Sequence, residues 1–423
     1  MTAVASRPDL APPAPARPST PRQSTARLAL LLGAFVAIGP LTIDMYLPAL
    51  PTIRQELGTT ASQVQLTLTG TLVGLALGQL LIGPLSDSLG RRRPLLAGTA
   101  LHVVASLLVL VAPDVAVLGV LRVLQGVGCA ATGVVAMAMV RDLFAGRAAA
   151  TMLSRLFLVM GVAPVLAPTI GGELLRFTSW RGIFALLAVY GVALIAFGFF
   201  GVRETLPAER RRPGGLRGTG AVYGSLLRDR TYVGLVVVAG LTMAALFAYV
   251  SGSSFVYQRQ FGLDAQQFGL VFGAGAFWLI AATQLTPVLL RRWSAAQILV
   301  TAVAAGSIVA TVLLGLAATT GSVFAVAGGL WAVLFCGGLA MPNAPALALA
   351  QNGDRAGAAA ALLGAVQFGI GAVVSPLVGL LGNDATAMAS VIALALLLAL
   401  AVLLVVARPW LLPEPEDAVA VAH

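Results

Sequence analysis

Lysine is absent from this 423-residue chain, and charge of any kind is scarce, with Asp, Glu and Arg together making up 10 % of the residues. A soluble domain has a polar surface to cover and ordinarily carries about 25 % charged residues, so an ordinary soluble fold is excluded. Cysteine occurs twice, as Cys129 and Cys336, each inside an apolar run, which excludes a disulfide framework. Two histidines and no CxxC or HExxH spacing argue against a metal site. The formal charge of +10 would suit nucleic acid in a soluble protein. Here nearly every arginine stands at the end of an apolar run, so no nucleic-acid partner is expected.

What is present in quantity is hydrocarbon. Hydrophobic residues make up 59 % of the chain, in continuous stretches rich in Leu, Ala, Val and Gly. Each is near the ~20 residues that span a bilayer as a helix. Backbone groups in lipid must be satisfied inside a helix or a closed barrel, and barrel strands would alternate apolar with polar residues. The fold class is therefore all-α integral membrane, with lipid as the surrounding partner. Twelve runs are read, near 28–50, 62–85, 94–112, 115–140, 150–173 and 182–202, then 232–256, 267–290, 295–317, 322–349, 357–380 and 385–407. Residues 1–27, rich in Pro, Ala, Ser and Arg and without an apolar signal segment, read as a disordered tail. Bundles at 28–203 and 231–408 flank a linker at 204–230, and 409–423 form a second tail. With the N-terminus in the cytoplasm, 21 of the 26 arginines fall inside and 4 outside. That bias places both termini in the cytoplasm of a multi-pass cell-membrane protein.

Three stretches carry chemistry. Loop 2–3 reads GPLSDSLGRRRP, where Gly83 would allow close helix approach and Gly90 a tight turn. Asp87 is placed to meet a helix N-terminus or an arginine, while Arg91 and Arg92 anchor the loop. A basic turn obeying the positive-inside rule would look similar. Span 5 reads GVAPVLAPTIGG, with Gly161, Pro164, Pro168, Gly171 and Gly172 suited to a bent, closely packed helix. Span 4 reads LRVLQGVGCAATG and buries Arg122, at a cost of about 2.5–3.5 kcal/mol on insertion scales.

Span 1 contains LTIDMYLP, a carboxylate in an apolar run. Asp44 lies six residues from the outer end of its span, about 9 Å deep, and Arg122 seven residues into span 4, about 10 Å deep. They could meet directly, through Gln125 or through a water. No other ionisable residue is read well inside a span. An intramembrane acid is a functional candidate by default. Burial favours its neutral form and a nearby arginine its charged form, so it could exchange a proton as its surroundings change. A static ion pair joining helices 1 and 4 is the structural alternative.

The loop matches the G-x-L-x-D-x-x-G-R-R/K signature and closely resembles the major facilitator superfamily. The resemblance implies twelve helices in two six-helix bundles about a central cavity. It also implies a latch of Asp87 and Arg91 with Asp142, at the end of helix 4. Span 5 resembles the antiporter motif of that superfamily's drug/proton exporters, and Arg122, Gln125 and Gly126 resemble its proton-coupling element. PLTIDMYLPALP resembles the helix-1 signature of the bicyclomycin/chloramphenicol-resistance branch. The implied activity is proton-coupled export of small neutral drugs, phenicols foremost, with no enzyme chemistry and no cofactor beyond the proton gradient. Export of an endogenous sugar or amino-acid derivative is the alternative, and a monomer is expected. Tyr46, Tyr249, Phe255, Trp278, Trp331, Asn343 and Gln367 are candidate pocket residues.

Overall fold

The computed structural model describes residues 25–211, 219–352 and 355–411. Twelve long helices follow one another: α1 Thr25–Asp44, α2 Ala61–Leu89, α3 Arg92–Val109, α4 Val115–Leu143, α5 Gly146–Leu174 and α6 Trp180–Gly201, then α7 Arg230–Phe255, α8 Ala265–Leu289, α9 Ala295–Thr319, α10 Val323–Ala350, α11 Ala356–Val374 and α12 Ala385–Val402. Eleven of these stretches are individually long and apolar enough to cross a bilayer. The remaining one, α3, is 18 residues long and opens on Arg92 and Arg93, which lowers its apolarity. Several helices start on side-chain caps that satisfy the free N–H groups of the first turn: Thr60 with Gln63, Asp264 with Gln267 and Ser294 with Gln297 form reciprocal boxes.

The helices form two bundles of six. In the first, α4 packs on α2, α3 and α1, with α3 on α6 and α1 on α5; in the second, α7 packs on α10, α11 and α12, with α9 on α10 and α12. The bundles meet along two seams, α5 on α8 and α2 on α11. The α2–α4 crossing is close because side chains are missing there. A β-carbon on Gly74 would strike the Val123 carbonyl, and one on Gly126 would strike the Thr71 carbonyl. That approach holds the face of α4 bearing Arg122 and Gln125 inside the bundle.

One end of the molecule is sealed between the bundles by six hydrogen bonds, all from neutral groups. Gln65 Nε2 donates to the Ser251 carbonyl (3.1 Å) and to Asn383 Oδ1 (2.8 Å). Ser254 donates to the Leu47 carbonyl and Gln258 to the Pro48 carbonyl. Thr69 donates to the Ala372 carbonyl and Gln266 to the Gly172 carbonyl. The arginine-rich loops lie at the opposite end.

Two expectations change. The first apolar run is not one helix: α1 stops at Asp44, and a 3-10 turn, Leu47–Ala49, and a short helix, Leu50–Glu56, follow. Pro48 breaks the helix, because it has no N–H to give the Asp44 carbonyl four residues back, while Pro51 sits in the first turn of the short helix, where its missing N–H is not needed. The first helix starts at Thr25, inside the expected tail; the rest of that tail and most of the C-terminal one lie outside the described residues. The linker contributes to the fold. Thr219–Leu226 is helical, Leu226 is fully buried against the second bundle, and the Tyr223 hydroxyl donates to the Leu80 carbonyl of the first (3.3 Å).

Candidate functional site

Asp44, the last residue of α1, is 5 % exposed. Among the described residues its carboxylate has no hydrogen bond and no ion pair. Arg122 is fully buried on α4, and its guanidinium lies 4.1 Å above the Tyr46 ring and 5.6 Å from the Phe184 ring. The possible Asp44–Arg122 pair is therefore not made. The chain bends after Asp44, and the residue it delivers to Arg122 is an aromatic face two positions on. A cation over a desolvated ring gains about 2 kcal/mol or more, which replaces the missing counter-ion in part.

A polar thread leads away from Arg122. Its Nη1 donates to Gln125 Oε1 (3.0 Å), Gln125 Nε2 donates to Ser106 Oγ (2.7 Å), and Ser106 Oγ donates to the His102 carbonyl (2.7 Å). The His102 ring returns to α1, with Nε2 2.8 Å from Thr42 Oγ1. The Thr42 hydroxyl also donates to the Ile38 carbonyl (2.6 Å). His102 Nδ1 and Arg122 Nε and Nη2 are buried without a partner among the described residues. His102 corrects the expectation that no further ionisable residue sits inside a span. A single histidine in a serine- and threonine-bearing stretch was the available signal.

At the arginine-rich end, Arg91 is the hub. Its Nε donates to Asp142 Oδ2 (2.8 Å), and its Nη1 donates to Asp87 Oδ1 (2.5 Å) and Ser86 Oγ (2.7 Å). Partial burial works against the charged guanidinium, but the hydrogen bonds to Asp142 and Asp87 outweigh it and hold Arg91 above its ordinary value. Arg92 donates to the Phe199 carbonyl (2.7 Å) and stacks on that ring. Glu204, read from sequence as mere linker, completes the cluster. Its carboxylate accepts the N–H groups of Arg91 (2.8 Å), Arg92 (3.2 Å), Thr205 and Leu206 (3.0 Å each), and so caps the N-terminus of α3. Thr205 in turn donates to Asp142 (3.0 Å). Gly90 is required here, since its φ is +86° and a β-carbon would run into the Glu204 carboxylate. Gly83 is not, because a β-carbon there meets nothing within 4 Å, so the close approach expected of it is absent.

The small residues of α5 lie on its seams. A β-carbon on Gly171 would strike the Met45 carbonyl next to Asp44, and one on Gly172 would come within 2.6 Å of the Ala265 carbonyl at the start of α8. One on Gly161 would come within 3.3 Å of the Ile280 side chain on α8. Pro164 and Pro168 lie between them in the same helix.

A model of the Major Facilitator Superfamily matches residues 30–376. The chain belongs to that superfamily. It is a membrane transporter rather than an enzyme. Among similar proteins, an uncharacterized MFS-type transporter of Bacillus subtilis is 38 % identical over 85 % of this chain and 90 % of its own length. A bicyclomycin resistance protein homolog of Haemophilus influenzae is 31 % identical over 86 % of this chain and 92 % of its own. A chloramphenicol resistance protein of Pseudomonas aeruginosa is 33 % identical over 66 % of this chain and 65 % of its own. The bicyclomycin and chloramphenicol resistance relatives support the superfamily's drug-efflux branch. A solved D-xylose-proton symporter shares the fold at a TM-score of 0.69 and 16 % identity, over 89 % of this chain and 96 % of that one.

Within the superfamily fold, the candidate pocket residues separate. Tyr46 belongs to the Arg122 thread. Tyr249 of α7 is buried, stacks on Phe272 (5.1 Å between centroids) and lines a small apolar cavity of about 20 Å³ with Thr242, Leu246, Leu334 and Met341. Trp331 lies beside it, both rings converging where Gly275 has no side chain. Phe255 and Asn343 are buried in packing, the Asn343 amide turned back to the Leu339 carbonyl. Trp278 is at the surface against Phe277 and Phe335, and Gln367 is half-buried on α11.

Proposed function

We propose that this transporter is a proton-coupled antiporter that exports neutral lipophilic drugs, phenicols such as chloramphenicol foremost, by alternating access of its two bundles. The observation that carries the reading is Asp44. An acid at the end of a membrane helix, nearly closed off from solvent and without an ion-pair partner among the described residues, costs free energy whenever it is charged. A site of that kind is retained where protonation is the work to be done. Placed beside the α5 seam, it can be reached from alternate sides as the bundles rock about their contacts.

The cargo follows from the surroundings. The small cavity beside Tyr249 is apolar, walled by aliphatic side chains with Tyr249 as its aromatic and Thr242 as its other polar group, which favours an uncharged lipophilic solute over an anion. The Haemophilus and Pseudomonas relatives, named for bicyclomycin and chloramphenicol resistance, point the same way. The positive-inside bias assigns the arginine-rich end and both termini to the cytoplasm of the cell membrane, so the sealed end faces out. The Asp87–Arg91–Asp142 cluster then serves as the cytoplasmic latch, and Arg122 with Gln125 holds the first bundle's polar interior while Asp44 exchanges its proton. Efflux of labelled chloramphenicol from cells expressing the protein tests the reading. Export that stops when a protonophore is added is expected, and export that persists unchanged refutes proton coupling.

A further inference from the structure

Tyr249 carries a buried polar group at the centre of the second bundle that the bundle does not satisfy. Its hydroxyl has no hydrogen-bond partner among the described residues, although the residue is only 2 % exposed. A buried unpaired hydroxyl is costly and needs a reason. Its orientation is not accidental. The ring is stacked on Phe272 with 17° between planes, and the hydroxyl tip occupies space that Gly275 leaves open, 2.9 Å from where a β-carbon would stand.

The register between α1 and α7 sets Tyr249 at the level of Asp44. The two helices run in the same direction, and the end of α7 with its continuation is joined to the segment after α1 where Ser254 donates to the Leu47 carbonyl (2.7 Å) and Gln258 to the Pro48 carbonyl (3.1 Å). Inward from that joint, Tyr249 is five residues below Ser254, about 7.5 Å along an α-helix. Asp44 is three residues below Leu47, about 4.5–6 Å across the turn at Met45 and Tyr46. The two side chains thus reach the same level from opposite bundles, and the hydroxyl lies within electrostatic range of the Asp44 carboxylate. The other titratable group near Tyr249 is Tyr257, farther out on the continuation of α7. Helices α8, α11 and α12, which surround it, contain no acid or base, and α10 contains Cys336 alone.

We propose that Tyr249 is the positioning partner of Asp44, its hydroxyl donating a hydrogen bond across the bundle interface to the ionised carboxylate and releasing it when the carboxyl is protonated. This rests on the assignment of Asp44 as the proton site and adds to it the means by which protonation is felt by the second bundle. A charge-assisted bond between α1 and α7 draws the bundles together at their centre. Proton uptake removes the acceptor's charge, loosens that tie and frees the ring that walls the apolar cavity. No atom other than the exchanged proton changes hands.

The test is the pH profile of chloramphenicol–proton exchange in proteoliposomes, for wild type, Tyr249→Phe, Tyr257→Phe and Asp44→Asn. Tyr249→Phe keeps the ring and its stacking, so folding is preserved. Loss of the donor should leave the carboxylate less well stabilised, moving the midpoint of exchange to higher pH by about one unit, a tenfold change in proton affinity. Tyr257→Phe should leave the midpoint in place. If Tyr249→Phe keeps the wild-type midpoint, or slows exchange equally at every pH, the inference is overturned while the role of Asp44 stands. If Asp44→Asn itself keeps proton-coupled exchange, the underlying reading fails and takes this inference with it.

Discussion

Replacing Arg122 by alanine separates a functional arginine from a structural one, because the structure gives both sides of the exchange. The substitution removes a charged hydrogen bond to Gln125, worth about 1.5–3 kcal/mol, and a desolvated stack on Tyr46, worth about 2 kcal/mol. It also removes the cost of holding a guanidinium inside the bundle, about 2.5–3.5 kcal/mol. The losses of about 3.5–5 kcal/mol are largely offset, so the net destabilisation falls between about 0 and 2.5 kcal/mol. At about 2–4 °C per kcal/mol, thermal unfolding of purified Arg122→Ala should begin no more than about 10 °C below wild type. Drug–proton exchange in proteoliposomes should fall far more, since the Tyr46, Gln125, Ser106 and His102 thread loses its anchor beside Asp44. Disappearance of the protein from the membrane would refute the balance and make Arg122 a keystone of the fold. Undiminished exchange would refute its place in coupling.

Two further predictions concern the arginine-rich end. Gly90→Ala should destabilise the protein by about 1–2 kcal/mol from left-handed backbone alone, and more from collision with Glu204; a thermal midpoint equal to wild type would contradict the observed turn. Burial works against the charged form of Glu204, but four backbone N–H donors win and hold its carboxyl below the ordinary 4.5. A depressed acid contributes stability above that value and loses it as pH falls through the lower folded-state value. Unfolding midpoints followed from neutral to acid pH should therefore drop below pH 4.5 in wild type, and less steeply in Glu204→Gln; parallel curves would show that the cap contributes nothing.

The span count and the two-bundle plan were legible in the sequence because lipid imposes one rule on every segment, and continuous apolar runs satisfy it as helices. The loop motif was legible because Asp87, Gly90 and Arg91 stand within five positions of one another; Asp142, 51 positions from Arg91, was reached only through the family resemblance. Three features resisted. The break after Asp44 was signalled by Pro48 and Pro51, but an apolar run hid it. The pairing of Arg122 could not be read from depth, since depth says nothing of direction, and the bend after Asp44 aims Tyr46 at the cation instead. His102 and Glu204 were visible as residues but not as partners, because Thr42 lies 60 positions from one and Arg91 lies 113 from the other.

The claim that Asp44 carries the exchanged proton is tested most directly by adding chloramphenicol to purified protein in weakly buffered detergent and recording the released protons. The account predicts release from wild type and none from Asp44→Asn, with drug binding retained in both. Equal release from the two proteins would contradict it.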